Sequence, residues 1–231
     1  MPRGGTILDI GSHIGTLTVP FAKHVGPNGF VIAIESQRPI QALCQANAAI
    51  NSLYNVRSIN AAVDATRDSC LMTVSFDVDE FRNYGSHAVK ECSEALMKAC
   101  DGGRYCSACH CITLTHQNRC VCSGCRCLAR PANWVEPNYQ TGDLITWEWV
   151  QSLTIDDLQL DRVDFIKIDV EGFEARVLKG ASETIKKMLP VIYFEEMNAP
   201  IKIPADGVYL SPSFEEVLKP LGYECFFHDA P

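Results

Sequence analysis

Short, densely apolar runs alternate along this chain with glycine turns and amphipathic stretches, and that spacing predicts alternating strands and helices. Thr6, Ile7, Leu8 and Ile10 form the first run, rich in β-branched residues and without polar alternation, the pattern of a central strand covered on both faces. Residues 17–25 read as a helix with Phe21 and Ala22 on its apolar side, and FVIAI (30–34) is a second strand after the turn Gly26-Pro27-Asn28-Gly29. Over 40–53 the residues Ile40, Leu43, Cys44, Ala46 and Ile50 fall near helical spacing, with Asn47 and Asn51 either solvated or reaching back to the loop after the first strand. VRSINAAV (56–63) predicts a third strand, and LMTVSF (71–76) a further strand paired with it. This alternation gives a parallel sheet with helices on both faces.

The pattern resumes at Trp147. TIDDL (154–158) reads as a helix start, with Thr154 as cap and Asp157 suited to the helix dipole. Phe165, Ile166 and Ile168 build another buried strand, and Lys167, between the two isoleucines, is expected to point to the opposite face and snorkel outward. Helices at 173–178 and 182–188, broken at Gly180, lead through Pro190 to a strand at 191–194, then a helix at 213–218 and a strand at 223–227.

Polar residues at the carboxyl ends of these strands carry the candidate chemistry, because open α/β sheets bind ligands there. Asp9 interrupts the first run and is expected to point into the crevice beyond the strand. Gly11 and Gly15 bracket a turn, Ser12-His13-Ile14, whose bare backbone and following helix amides suit an anionic group. Glu35, followed by Ser36, ends the second strand, where an acid grips a ribose diol. The two glycines do not make the G-x-G-x-x-G of a dinucleotide site, so S-adenosylmethionine is favoured over a nicotinamide or flavin. Asp64, beyond the third strand, is either a turn carboxylate or a partner for an adenine amino group. Asp169 and Glu171 stand two residues apart before Gly172, on one side of an extended chain. Two like-sided carboxylates are costly unless they bind a cation, a proton or a hydroxyl. An N-capping role fits Glu171 better than Asp169. Glu195, at the tip of the strand at 191–194, is a candidate for substrate contact.

Composition adds bounds and one anomaly. The chain of 231 residues, 47% hydrophobic and 21% charged, can bury one sizeable core with a small appendage. A net charge of −8 argues against a nucleic-acid binder, which needs a basic field. No apolar window has signal-peptide or membrane-span length, so a cytoplasmic chain is expected. Nine of the 12 cysteines crowd into residues 92–127, where apolar burial alone cannot drive folding. Cys106, Cys109 and Cys111, then Cys120, Cys122, Cys125 and Cys127 after an eight-residue spacer, have spacings that converge on zinc, with His110 and His116 as further ligands. A disulfide knot and a poorly ordered insertion are the alternatives. Six basic against three acidic residues over 90–130 make this stretch locally basic and able to meet an acidic protein partner.

In order, DIGSHIG (9–15), IES (34–36), NYGSHAV (83–89), TIDDL (154–158), DFIKIDVEGFE (164–174), LKGA (178–181) and VIYFEE (191–196) resemble the FkbM family of class I S-adenosylmethionine-dependent methyltransferases. The resemblance implies a Rossmann-like, doubly wound, mainly parallel seven-stranded sheet. The methyltransferase domain would occupy 1–86 and 147–231, with a cysteine-rich insertion at 87–146. It places Asp9, Gly11 and Gly15 around the methionine part of the cofactor, Glu35 on its ribose, and Asp169 and Glu171 at the transfer site. The implied activity is O-methylation of a hydroxyl on a small molecule or sugar, with Asp169 or Glu171 as base or orienting group and His13 as a second choice. A zinc-binding interaction module on a degenerate methyltransferase scaffold is the other functional class, and intact Asp9, Glu35, Asp169 and Glu171 argue against it.

Overall fold

The computed structural model describes residues 1–67, 69, 71–75, 89–91, 146–195 and 214–226. Its centre is a five-stranded sheet, wholly parallel, built from β1 (Thr6–Ile10), β2 (Phe30–Glu35), β3 (Val56–Asn60), β9 (Phe165–Ile168) and β10 (Val191–Phe194) in the order β10-β9-β1-β2-β3. The chain leaves β1 toward β2 and β3, then returns to lay β9 and β10 on the other side of β1. Strand order therefore reverses between β1 and β9, and the crevice beyond their carboxyl ends is where such sheets bind ligands.

Alternation within the strands divides the core. Leu8, Ile10, Ile32, Ile34, Ile166 and Ile168 face Val177 and Leu178 of α3 (Glu174–Lys179), Ala181, and Ile185 of α4 (Ser182–Met188). Ile7 and Val31 face Ala22 and Val25 of α1 (Thr18–Val25), where the Phe21 and Phe165 rings meet edge to face at 5.7 Å. Each fully buried aliphatic side chain contributes about 1.5–3 kcal/mol, so this two-sided burial holds the sheet. It also explains the continuous apolar runs, since β1 and β9 have no solvent face.

Polar side chains finish the helix ends. The Asn55 amide donates to the carbonyls of Ala22 and Gly26 at 3.0 and 2.9 Å, closing α1. Pro39 enters the first turn of α2 (Arg38–Ile50). The expected reciprocal bonds form between Thr154 and Asp157, at 3.0 and 3.2 Å, but only a 3₁₀ turn, Asp156–Leu158, follows. Asp156 instead accepts the Thr184 and Glu183 amides, at 2.8 and 3.2 Å, and so caps α4 from outside.

The structure differs from several of these expectations. The predicted strand at 56–63 is two, because Asn60 turns its amide onto the carbonyls of Glu35 and Ser36 and the chain bends there. Beyond the bend, β4 (Ala62–Val63) pairs in parallel with β8 (Ser152–Leu153). The strand expected to accompany the third, β5 (Leu71–Ser75), lies instead in a separate antiparallel sheet with β6 (Lys90–Glu91) and β7 (Thr146–Val150). At the end of the chain, a π-helical turn (Phe214–Leu218) and a 3₁₀ turn (Lys219–Leu221) replace the predicted helix, and residues 223–226 form no strand. There Tyr223 donates its hydroxyl to the Pro190 carbonyl at 2.8 Å. Where seven strands are implied, the main sheet has five among the described residues. No helix among the described residues is long and apolar enough to cross a membrane.

Gly180 separates α3 from α4 where a Cβ would sit 1.9 Å from the Asp64 carbonyl oxygen. Its φ is not positive, so the constraint is steric contact alone. Helix propensity favours alanine here by about 1 kcal/mol, whereas the contact predicts that Gly180→Ala destabilises the fold by about 1–3 kcal/mol. Urea denaturation of the two proteins decides the sign.

Candidate functional site

A cavity of about 300 Å³ opens at the carboxyl ends of β1, β2 and β9. Its floor is a backbone contact. Gly11 has φ +73°, and a Cβ on it would lie 1.8 Å from the Asp169 carbonyl oxygen, so only glycine lets the loops after β1 and β9 touch. The Asp169 amide donates to the Ile10 carbonyl at 3.1 Å, while the Gly11 and Ser12 amides donate to the Ile34 carbonyl at 2.9 and 3.1 Å. Gly15 has φ +90° and packs against Cys44 of α2, whose sulfur would be 3.1 Å from an added Cβ. Asn47 reaches back from α2 to the Ile14 carbonyl at 2.8 Å. Asn51 does not; it binds the Asn47 carbonyl and Lys23.

Glu35 organises the opposite wall. One carboxylate oxygen accepts the His13 amide at 3.0 Å, and the other accepts the Gln37 amide at 2.9 Å and the Ser36 hydroxyl at 3.3 Å. The first of these bonds holds His13 at φ +51°, a left-handed conformation uncommon for a side-chain-bearing residue. Burial pushes the Glu35 carboxyl above its ordinary value, against the pull of both amides.

Asp9 and Lys167 are opposite one another across β1 and β9, and both expectations for them are corrected. Asp9 is completely buried beneath the cavity rather than projecting into it. Its carboxylate takes the Thr18 hydroxyl at 2.5 Å, and burial raises its pKa against the opposing pull of Lys167. Lys167 is 4% exposed, so it does not snorkel outward. Its strand is covered on both faces, so its ammonium ends against the cavity instead of at an exposed surface. Its ammonium donates to the Gly11 carbonyl at 2.7 Å and lies 3.4 Å from Asp9 and 3.3 Å from Asp169.

Asp169 and Glu171 both line the cavity, with the Asp169 side chain 38% exposed. Burial, then the charges of Asp169 and Glu195, raise the Glu171 carboxyl. Burial and Asp169 likewise raise Glu195, which stands at the tip of β10, outside the cavity lining. The turn that carries Glu171 is braced by Glu174. Its buried carboxylate accepts the Gly172 and Val170 amides, at 3.0 and 3.3 Å, and fixes the turn in which Glu171 has φ +53°.

Asp64 is not among the residues that line the cavity. It is fully buried, and its two oxygens are taken by Arg176 Nε and Nη2 at 2.5 and 2.7 Å. Burial would raise this carboxyl, but Arg176, Ser69 and the Ala65 amide outweigh it and hold the pKa below the ordinary range. Arg176 also pairs with Glu91 of β6 and covers the Phe173 ring at 4.9 Å. Phe173 is itself part of the cavity wall.

Sequence reasoning missed Lys167, Glu174 and Asn60 as parts of the site. Lysine within an otherwise apolar run was the available signal for the first. The seven cysteines assigned to zinc, Cys106, Cys109, Cys111, Cys120, Cys122, Cys125 and Cys127, lie outside the described residues. Among the described residues no group of three or more His, Cys, Asp or Glu is placed to hold a metal.

The cavity fits an adenosyl cofactor. Ser12 Oγ is buried and makes no hydrogen bond within the protein, which leaves it available to a ligand in the cavity that Ser12 lines. Two positive-φ glycines bare the backbone beside it, and Oε2 of Glu35, which accepts a single amide, retains a lone pair for a ribose hydroxyl.

No curated protein matches this chain. Among solved structures, a methyltransferase FkbM from Methylobacillus flagellatus KT is 14% identical with TM-score 0.45, covering 84% of this chain and 33% of its own. A SAM-dependent methyltransferase from Aquifex aeolicus is 14% identical with TM-score 0.37, covering 96% and 73%. A protein-L-isoaspartate O-methyltransferase is 24% identical with TM-score 0.26, covering 26% and 19%. The chain thus spans about a fifth of the length of the isoaspartate enzyme and a third of the FkbM structure. The family profile described as the methyltransferase FkbM domain matches residues 9–225, almost from the buried Asp9 to the end of the described residues, and the chain belongs to that family.

Proposed function

We propose that this chain is an S-adenosylmethionine-dependent methyltransferase that modifies a hydroxyl on a small molecule or sugar. One observation carries the reading: Glu35 and Asp169 stand on two walls of one cavity, with the Gly11–Ser12 backbone between them. S-adenosylmethionine, when bound, supplies an electrophilic methyl group on a sulfonium sulfur. Glu35 would hold the ribose diol, while Ser12 and the bare backbone after β1 would hold the methionine end.

Methyl transfer is an in-line displacement, so the chain must align an acceptor hydroxyl and receive its proton. Asp169 is assigned as that base, since it alone among these acids is both partly exposed to the cavity and paired with a cation. Glu171, beside it on the rigid turn braced by Glu174, orients the hydroxyl. Alignment is the larger effect, worth several kcal/mol, and a positioned base adds about 10² to 10⁴ in rate. A mass-spectrometric screen for methyl addition to glycans and hydroxylated metabolites tests the reading, and calorimetry with the cofactor tests its first half. No cofactor binding would refute it.

Asp169→Ala is expected to lower turnover by at least about 10²-fold with affinity for the neutral thioether product S-adenosylhomocysteine within about threefold, measured by single turnover and calorimetry. An active variant removes Asp169 from the chemistry.

The raised Glu35 pKa gives a pH test with opposite signs for binding and stability. The protonated carboxyl is favoured in the folded protein, so its contribution to stability is full below 4.5 and is lost as pH rises through the folded value. A ribose diol donates to the ionised form, so cofactor affinity rises over the same interval. Glu35→Gln should weaken the cofactor by about tenfold or more and flatten this pH dependence, as read by calorimetry from pH 5 to 8.

A further inference from the structure

Lys167 is the one lysine or arginine among the described residues that line the cavity, against the three carboxylates Glu35, Asp169 and Glu171. Its ammonium is fixed by four groups, the Gly11 carbonyl at 2.7 Å, Asp169 at 3.3 Å, and the Ile10 carbonyl and Asp9, each at 3.4 Å. Stability does not account for it. A buried ion pair is commonly no better than a well-packed apolar pair of similar volume, and beyond its partner Asp9 the same face of the sheet carries Ile7, Val31 and Ala33. The lysine lies beside the cavity in which, on the proposed chemistry, a positive charge on sulfur is lost. Methyl transfer converts a cationic sulfonium into a neutral thioether, so the local charge of the cavity decides how differently the two forms bind.

We propose that Lys167 is the charge-setting residue of the transfer site: its ammonium offsets the Asp169 carboxylate at the cavity wall and so limits the preference for the cationic sulfonium over the neutral thioether product. This rests on the methyltransferase reading and names the residue that tunes exchange of substrate and product forms. It acts through Asp169 and the field in the cavity, and is a positioning residue. Without it, Asp169 and Glu171 present uncompensated negative charge to the sulfonium, which then binds more tightly, while the thioether gains nothing. The same residue joins the two halves of the site, but the loop after β1 keeps its other anchors, the bonds to Ile34, Glu35 and Asn47.

The test is calorimetric titration of the full chain with S-adenosylmethionine and with S-adenosylhomocysteine, for the wild type, Lys167→Met and Lys167→Arg. The quantity read is the ratio of the thioether Kd to the sulfonium Kd. Lys167→Met is expected to raise that ratio about tenfold, and Lys167→Arg to leave it within twofold even if both ligands weaken. Asp169→Asn should lower it. A lysine with only a structural role would weaken both ligands together, so an unchanged ratio in Lys167→Met overturns the proposal. Should Lys167→Met not fold, Asp9→Asn/Lys167→Met removes the buried charge left unpaired and gives the same readout. A wild type that binds neither ligand overturns the cofactor reading itself, whereas a wild type that binds both while the ratio stays fixed in the variants overturns the role of Lys167 alone.

Discussion

The carbonyl of Asp169 occupies the space a side chain at position 11 would fill, and the geometry of the site follows from that contact. Because no Cβ intervenes, the loops after β1 and β9 share a hydrogen bond from the Asp169 amide to the Ile10 carbonyl. The ammonium of Lys167 then reaches carbonyls and carboxylates of both loops at once. A larger residue at 11 would part the strand tips, remove the short path from lysine to Asp169 and widen the crevice where the strand order reverses. Glu35 serves the other side of the first loop in a comparable way, since its two oxygens bind amides from His13 and Gln37. One steric contact, one buried ammonium and one amide-binding carboxylate thus set the cavity between three strands.

Environment, more than residue type, separates the acids of this chain into roles. Asp9 is sealed beneath the sheet's edge with Thr18 and Lys167, and Asp64 is consumed by Arg176. Glu174 is turned into a brace for the turn at 170–172. What is left facing the cavity is Glu35 on one side and Asp169 with Glu171 on the other. The Arg176 link gives the small antiparallel sheet a physical connection to this wall, since the same guanidinium binds Asp64 and Glu91 and covers Phe173.

The main sheet was legible in the sequence because strands buried on both faces leave few polar positions, none in FVIAI and one in FIKI, and because Gly180 marks the break between helices. The glycine turn and the acids at the strand tips were legible for the same reason: a polar residue ending an apolar run has few structural explanations. The bend at Asn60 was not, because Ile59 and Ala61 on either side are both apolar and the amide's partners lie on another strand. Lys167 was misread because a strand's alternation says which side a residue takes, not whether that side is wet. Asp64 was ambiguous until its partner, 112 residues away in sequence, was known.

Helix α3 has six residues and α4 has seven, well below the length at which an isolated helix persists in water. They exist because Val177, Leu178 and Ile185 are driven into the core and because Asp156 supplies the amide partners that α4 lacks. Glu174, which holds the turn bearing Asp169 and Glu171, belongs to the first of these helices. The precision of the reactive turn is therefore borrowed from the hydrophobic interior: its brace holds only while the short helix that carries Glu174 is packed, and that packing comes into being only when the whole domain has condensed.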